Sequence, residues 1–189
     1  MAAFNFMSHG TQDLYPTFLQ KQRELGVGGT TLITIIANVG AIIGGTLFGG
    51  LSQRIGRRRG ILVACALGAA TIPLWVFAPS TALLALGGFL IQFFVQGAWG
   101  IIPVHLNELS PGDVRGTFPG FTYQLGNLIS AGAAQIEAAF AATKFRLPGG
   151  GADYAHALAV IALIVFAAVF LLTAIGHERR GIELTSEAA

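Results

Sequence analysis

The stretch NFMSHGTQDLYPT, Asn5 to Thr17, sets an imidazole and a carboxylate four residues apart in otherwise apolar surroundings. On a helix, residues i and i+4 are neighbours, so the side chains of His9 and Asp13 can touch. Each responds to burial and to the other's charge, so together they can bind, share and release a proton as their surroundings change. Asn5, Ser8, Gln12 and Pro16 share their arc at helical spacing, whereas Met7, Leu14 and Phe18 lie opposite. A proton-binding pair on a polar stripe therefore requires an element that can hold it in an apolar environment.

The rest of the chain supplies that environment. Its 189 residues are 53% hydrophobic and 11% charged, where a soluble domain carries roughly 25% charged residues. Six apolar segments are long enough to cross the bilayer, at about 2–19, 30–51, 60–78, 81–106, 117–142 and 154–176. Short connectors join them, so the chain reads as an all-α membrane protein, one six-helix bundle over 1–178 with a tail at 179–189. An ionisable pair inside such a bundle is functional by default. Arginines concentrate in alternate loops, at Arg54, Arg57, Arg58, Arg59 and Arg115, and again at Arg179 and Arg180. That asymmetry places both termini in the cytoplasm and marks topology, so no nucleic-acid partner is expected. Cys65 stands alone in an apolar run, with no metal-ligand spacing around it. There is no phosphate-cradling Gly-Lys-Ser/Thr loop. No metal or cofactor is expected, and the chain reads as a non-enzyme.

Polar stripes divide the spans into two kinds. The second aligns Thr31, Thr34 and Asn38, the fourth stacks Gln92, Gln96, Trp99 and Pro103, and the fifth stacks Gly120, Gln124, Asn127, Ala131 and Gln135. The third and sixth carry no stripe and are expected to face lipid. An amide in hydrocarbon needs a partner, so the four striped spans either surround a wetted cavity or bond one another within a tight bundle. Gly40, Gly44, Gly45 and Gly49 form two interleaved G-x-x-x-G spacings, the pattern of close helix approach. Glu137, off the Gln124 and Asn127 face, reads as interfacial or as an interhelical partner. LPGGGAD reads as a flexible loop.

Three segments carry a family resemblance. GGLSQRIGRRRG, Gly49 to Gly60, resembles the signature loop of the major facilitator superfamily, with Gly50, Arg54, Gly56, Arg57 and Arg58 as its marked residues here. Gln53 stands where that loop usually has Asp, which weakens the expectation of a charge-based latch. ELSPGDVRGT, Glu108 to Thr117, is similar to the corresponding loop of the superfamily's sugar and metabolite symporters. The opening stretch resembles the Asn-x-x-Ser/Thr-His-x-Ser/Thr-Gln-Asp-x-x-x-Thr motif of the lactate and pyruvate permease branch of the sialate:proton symporter family. It matches at Asn5, Ser8, His9, Thr11, Gln12, Asp13 and Thr17, and YQLGN, Tyr123 to Asn127, is similar to the family's eleventh helix.

The resemblance implies helices seven to twelve of a twelve-helix carrier in the plasma (inner) membrane. It implies a small carboxylate as substrate and a proton as coupling ion. His9 and Asp13 would carry the proton, and Asn5, Gln12, Gln124 and Asn127 would bond the substrate oxygens. Its partner would be an N-terminal six-helix bundle or a second copy of this chain; a non-transporting scaffold is the third possibility. The chain has no Lys or Arg at mid-membrane, so the cation facing the anionic substrate would be protonated His9 or an arginine of the other half.

Overall fold

The computed structural model describes residues 1–179, so Arg180 and the rest of the expected tail lie outside the described residues. The chain forms α1 (Ala2–Gln12), α2 (Tyr15–Lys21), α3 (Val27–Ile55), α4 (Arg57–Phe77), α5 (Thr81–Leu109), α6 (Phe118–Ser130), α7 (Ala133–Thr143) and α8 (Tyr154–Ile175). A 3₁₀ turn at Gly112–Val114 precedes α6. Among the described residues there is no strand, only an isolated bridge between Arg146 and Ala152. Four helices, α3, α4, α5 and α8, are each long and apolar enough to cross a bilayer.

The first and fifth expected spans are not continuous. Asp13 and Leu14 separate α1 from α2, and the cause is Pro16 in the first turn of α2. Proline has no N–H for the carbonyl four residues earlier, and its ring crowds that carbonyl, so the helix breaks just ahead of it. Between α6 and α7 the break falls at Ala131 and Gly132, where glycine weakens the helix. Immediately before it, the Ser130 hydroxyl donates back to the Gly126 and Asn127 carbonyls, a bond that bends helices. The two spans bearing the motif residues are thus the two broken ones.

The α3–α5 pairing is the most extensive in the bundle, and glycine makes it possible. A Cβ on Gly44 would stand 1.9 Å from the Phe93 carbonyl oxygen, one on Gly40 2.3 Å from that of Phe89, and one on Gly100 2.1 Å from that of Gly45. The G-x-x-x-G reading therefore holds as backbone contact. Gly44→Val is expected to cost several kcal/mol, beyond the ~1–3 kcal/mol of ordinary overpacking, because backbone must move. Gly50→Val, with nothing within 4 Å, is the matched control; thermal unfolding in detergent compares them.

The core is packed by Trp75, Phe18, Phe166, Ile91, Ile101 and Leu158, all almost fully enclosed. As expected, α8 exposes Leu163, Ile164, Leu171 and Leu172, but α4 is more enclosed than α3 because it packs against α5 and α8. The striped helix α3 instead exposes Leu32, Ile42 and Leu47. Its polar stripe is short, and the face beside it is as apolar as any on α8.

The segment read as a flexible loop is a hydrogen-bonded turn. The Leu147 N–H donates to the Gly151 carbonyl at 2.9 Å, and the Asp153 N–H to those of Ala141 and Phe145. Gly150 adopts φ +86°, which favours glycine. Asp153 caps α8, accepting from the His156 N–H at 3.2 Å, from Gln22 Nε2 at 2.9 Å and on Oδ2 from His156 Nδ1 at 2.6 Å. Burial pushes its carboxyl up, but these donors and the His156 charge outweigh it and hold the group below the usual aspartate range. A depressed folded-state value adds stability above the unfolded value, lost as pH falls through the folded one. Wild-type thermal stability should therefore drop on acidification below roughly pH 4, whereas Asp153→Asn starts lower and responds less.

Candidate functional site

Asn5, Ser8 and His9 of α1, Gln96, Trp99 and Asn107 of α5, and Tyr123 and Asn127 of α6 line an open cavity of about 430 Å³. That volume falls in the range of small-ligand sites. His9 Nδ1 lies 3.0 Å from Asp13 Oδ2, with both side chains partly exposed. When Nδ1 carries the proton shared with the carboxylate, neutral His9 keeps Nε2 as an acceptor; a second proton turns Nε2 into a charged donor. Among the described lining side chains, His9 alone can become positive.

The expected substrate amides divide between roles. Asn5 is buried, and its Nδ2 donates to Asn127 Oδ1 at 2.8 Å and to the Tyr123 carbonyl at 3.1 Å. Asn127 Nδ2 donates in turn to Gln124 Oε1 at 3.4 Å. The bond joins α1 to α6, and Gly126 permits it: a Cβ there would stand 2.8 Å from Asn5 Nδ2. Asn5 Oδ1 has no partner. Gln124 is exposed and outside the lining, and Asp13 reaches the cavity only through His9.

Gln12 turns elsewhere. Its Nε2 donates to Ser8 Oγ and, at 3.0 Å, to Gln92 Oε1, while Gln92 Nε2 donates to the Thr11 carbonyl and hydroxyl. Thr11, Gln12 and Gln92, with Thr34 and Asn38, line a second cavity of about 200 Å³. The four stripes thus border two spaces, and residues of the α1, α5 and α6 stripes bond one another across helices. Cavity lining and interhelical bonding therefore fall on the same residues, Asn5 and Asn127 at the larger space and Gln12 and Gln92 at the smaller.

Two features are not foreseen from the sequence. Trp99 Nε1 is buried without a hydrogen-bond partner beside the larger cavity, and its ring meets Phe4 and Tyr123 edge-on. Its place in the amide stripe is visible in the sequence, but not its unspent donor. Glu137, read as interfacial or as an interhelical partner, is neither: it is fully enclosed, and both carboxyl oxygens lack partners. It lies on α7, beyond the break at Ala131 and Gly132, with its carboxyl against Gly10 of α1.

A buried ion pair joins the signature loop to the end of α5 through Arg57, not through Gln53. Arg57 Nη2 lies 3.1 Å from Glu108 Oε1, Nε donates to both Glu108 oxygens, and Nη1 donates to Ser52 Oγ at 2.7 Å. Both side chains are over nine-tenths buried. The Arg57 N–H donates to Glu178 Oε1, and Arg58 donates to the Thr173 and Ala174 carbonyls at the end of α8. Gly56 has φ +101°, and a Cβ there would meet Glu178 Oε1 at 2.6 Å, so this turn requires glycine. Arg54 and Gly50 are exposed. The signature loop and the Glu108 loop, separate in sequence, thus meet in one ion pair.

Residues 2–176 match the family model described as "Sugar (and other) transporter". The chain belongs to this family. It is a major facilitator superfamily transporter chain, all-helical and integral to the membrane. A carboxylic acid transporter protein homolog of Saccharomyces cerevisiae is 40% identical, over 96% of this chain and 30% of its own length. A probable 4-methylmuconolactone transporter of Cupriavidus pinatubonensis is 34% identical over 60% of this chain and 27% of its own. A D-xylose transporter of Levilactobacillus brevis is 34% identical over 53% and 22%, respectively. The chain thus spans less than a third of the length of these relatives.

Proposed function

We propose that this transporter chain forms the C-terminal six-helix half, helices seven to twelve, of a proton-coupled symporter for small carboxylates of the lactate or pyruvate kind. The observation that carries the reading is the His9–Asp13 pair on the wall of the larger cavity. The likeness to a carboxylic acid transporter homolog supports a carboxylate substrate, and the seven matched motif positions from Asn5 to Thr17 support the lactate and pyruvate branch.

The coupling follows from one proton doing two things. With His9 neutral, the cavity offers an anion dipoles but no charge. Protonation gives His9⁺, held on Nδ1 by Asp13, and presents a charged donor to a carboxylate. Proton and anion therefore favour each other's binding, and the pair crosses as a neutral unit when the bundles rock. Asn127 and Trp99 Nε1 would direct donors at the second substrate oxygen. Asn5 and Gln124 act chiefly by fixing Asn127, and Gln12 by fixing Gln92. The loop arginines support both termini in the cytoplasm of a plasma membrane.

Uptake of labelled lactate into energised vesicles carrying the full-length protein tests the reading. Accumulation that collapses on adding a protonophore is expected. Uptake indifferent to the protonophore would overturn proton coupling; no uptake at any pH would favour a scaffold.

A further inference from the structure

Glu137 is a buried acid for which the bundle offers no structural use. It sits on α7 with its side chain wholly enclosed, and no donor lies within hydrogen-bonding distance of either oxygen. A glutamate retained to tie helices together would show a partner; this one shows none. An ionised carboxylate in such an enclosure is the costliest form, so the group rests as a neutral acid.

Its position gives the proton somewhere to go. A Cβ on Gly10 would stand 3.0 Å from Glu137 Oε1, so the carboxyl lies directly on the α1 backbone, one residue past His9 and three before Asp13. The absent side chain at Gly10 is what leaves room for it. The elements packed against α7 are α1 and α8. From α1 and its C-terminal end come His9 and Asp13, and α8 carries only Tyr154 and His156 in its first turn as ionisable groups. Asp13 is the charged residue whose field reaches Glu137. Two neighbouring carboxyls resist ionising together, which adds to the enclosure in keeping a proton on Glu137. Glu137 also lies between the two broken spans, with α1 running to the break at Asp13 and α7 starting from the break at Gly132. Movement of either segment would open the enclosure to water.

We propose that Glu137 is a second proton-binding site of the carrier, loaded in the conformation seen here and emptied when the broken spans shift. This rests on the symporter reading above and adds to it a carboxyl outside the Asn5 to Thr17 motif.

The test uses the full-length carrier in proteoliposomes, with dicyclohexylcarbodiimide as probe, since it reacts with protonated carboxyls in apolar surroundings to leave a stable N-acylurea. Peptide mass spectrometry is expected to find Glu137 modified at mildly acidic pH and progressively less so as pH rises. Glu137→Gln is expected to lose proton-driven lactate accumulation while retaining lactate counterflow. Modification that is absent, or unchanged across pH, would overturn the proposal, as would a Gln variant that accumulates normally. If Glu137→Gln fails to fold, the pH dependence of wild-type modification decides. Uptake indifferent to a protonophore, with modification still pH-dependent, would sink the symporter reading and leave Glu137 as a proton site.

Discussion

Asp13→Asn is expected to abolish proton-driven accumulation of lactate and spare both folding and counterflow. The His9 to Asp13 contact of 3.0 Å joins two partly exposed side chains, and such pairs contribute only about 0–1 kcal/mol to stability. Expression and thermal unfolding should therefore stay close to wild type. The asparagine carbonyl can still accept from Nδ1 and hold the ring in place, but it brings no negative charge to favour the imidazolium. Proton binding and anion binding then come apart, and the carrier equilibrates its substrate without concentrating it. Measuring internal and external lactate in vesicles with an imposed pH gradient gives the answer, with counterflow as control. A variant that still concentrates lactate would remove Asp13 from the coupling and leave Glu137 as the acid to test.

The helical architecture is legible in the sequence because apolar length is written directly in composition. The ends of α5 and α8 fall within a few residues of expectation, since Ser80 and Asp153 cap them and polar loops follow. The two breaks are less legible. Pro16 is an explicit signal, but lying in an arc of polar residues it reads as part of the stripe; Gly132 is one of 26 glycines, most of which break nothing. Which space a stripe residue meets is not legible either: Gln12, on the same unbroken helix as His9, lines the smaller cavity, and Glu137, expected as an interfacial residue or an interhelical partner, lies enclosed in the core. The motif can name His9 and Asp13 as partners, because i and i+4 is local geometry. It cannot show that Asn5 donates to Asn127, 122 positions away, or that Arg57 finds Glu108, because those pairings depend on how whole helices pack.

The largest stability effect should come from that last pair. Arg57→Ala would strand Glu108, over nine-tenths buried, without a counter-charge, and breaking a buried pair from one side typically costs about 3–5 kcal/mol. Glu108→Ala should cost a similar amount by stranding the guanidinium, although Ser52 Oγ still accepts from it. Arg57→Lys should fall between, because one ammonium cannot reproduce the side-by-side Nε and Nη2 fork on Glu108 while also reaching Ser52 as Nη1 does. The deciding comparison is with the double variant Arg57→Met, Glu108→Leu, which removes both charges and keeps volume. If the single variants suffer from an uncompensated charge, the double variant should recover most of the lost thermal stability in detergent. If it unfolds as readily as Arg57→Ala, the arginine acts mainly through geometry, holding Ser52 and the start of α4 against the end of α5. The same bundle end also carries the Arg58 bonds to α8 and the Glu178 bond to the Arg57 N–H, so loosening the pair should free four elements together. Faster hydrogen exchange at the start of α4 and the end of α8 in Arg57→Ala, but not in the double variant, would assign that cohesion to charge.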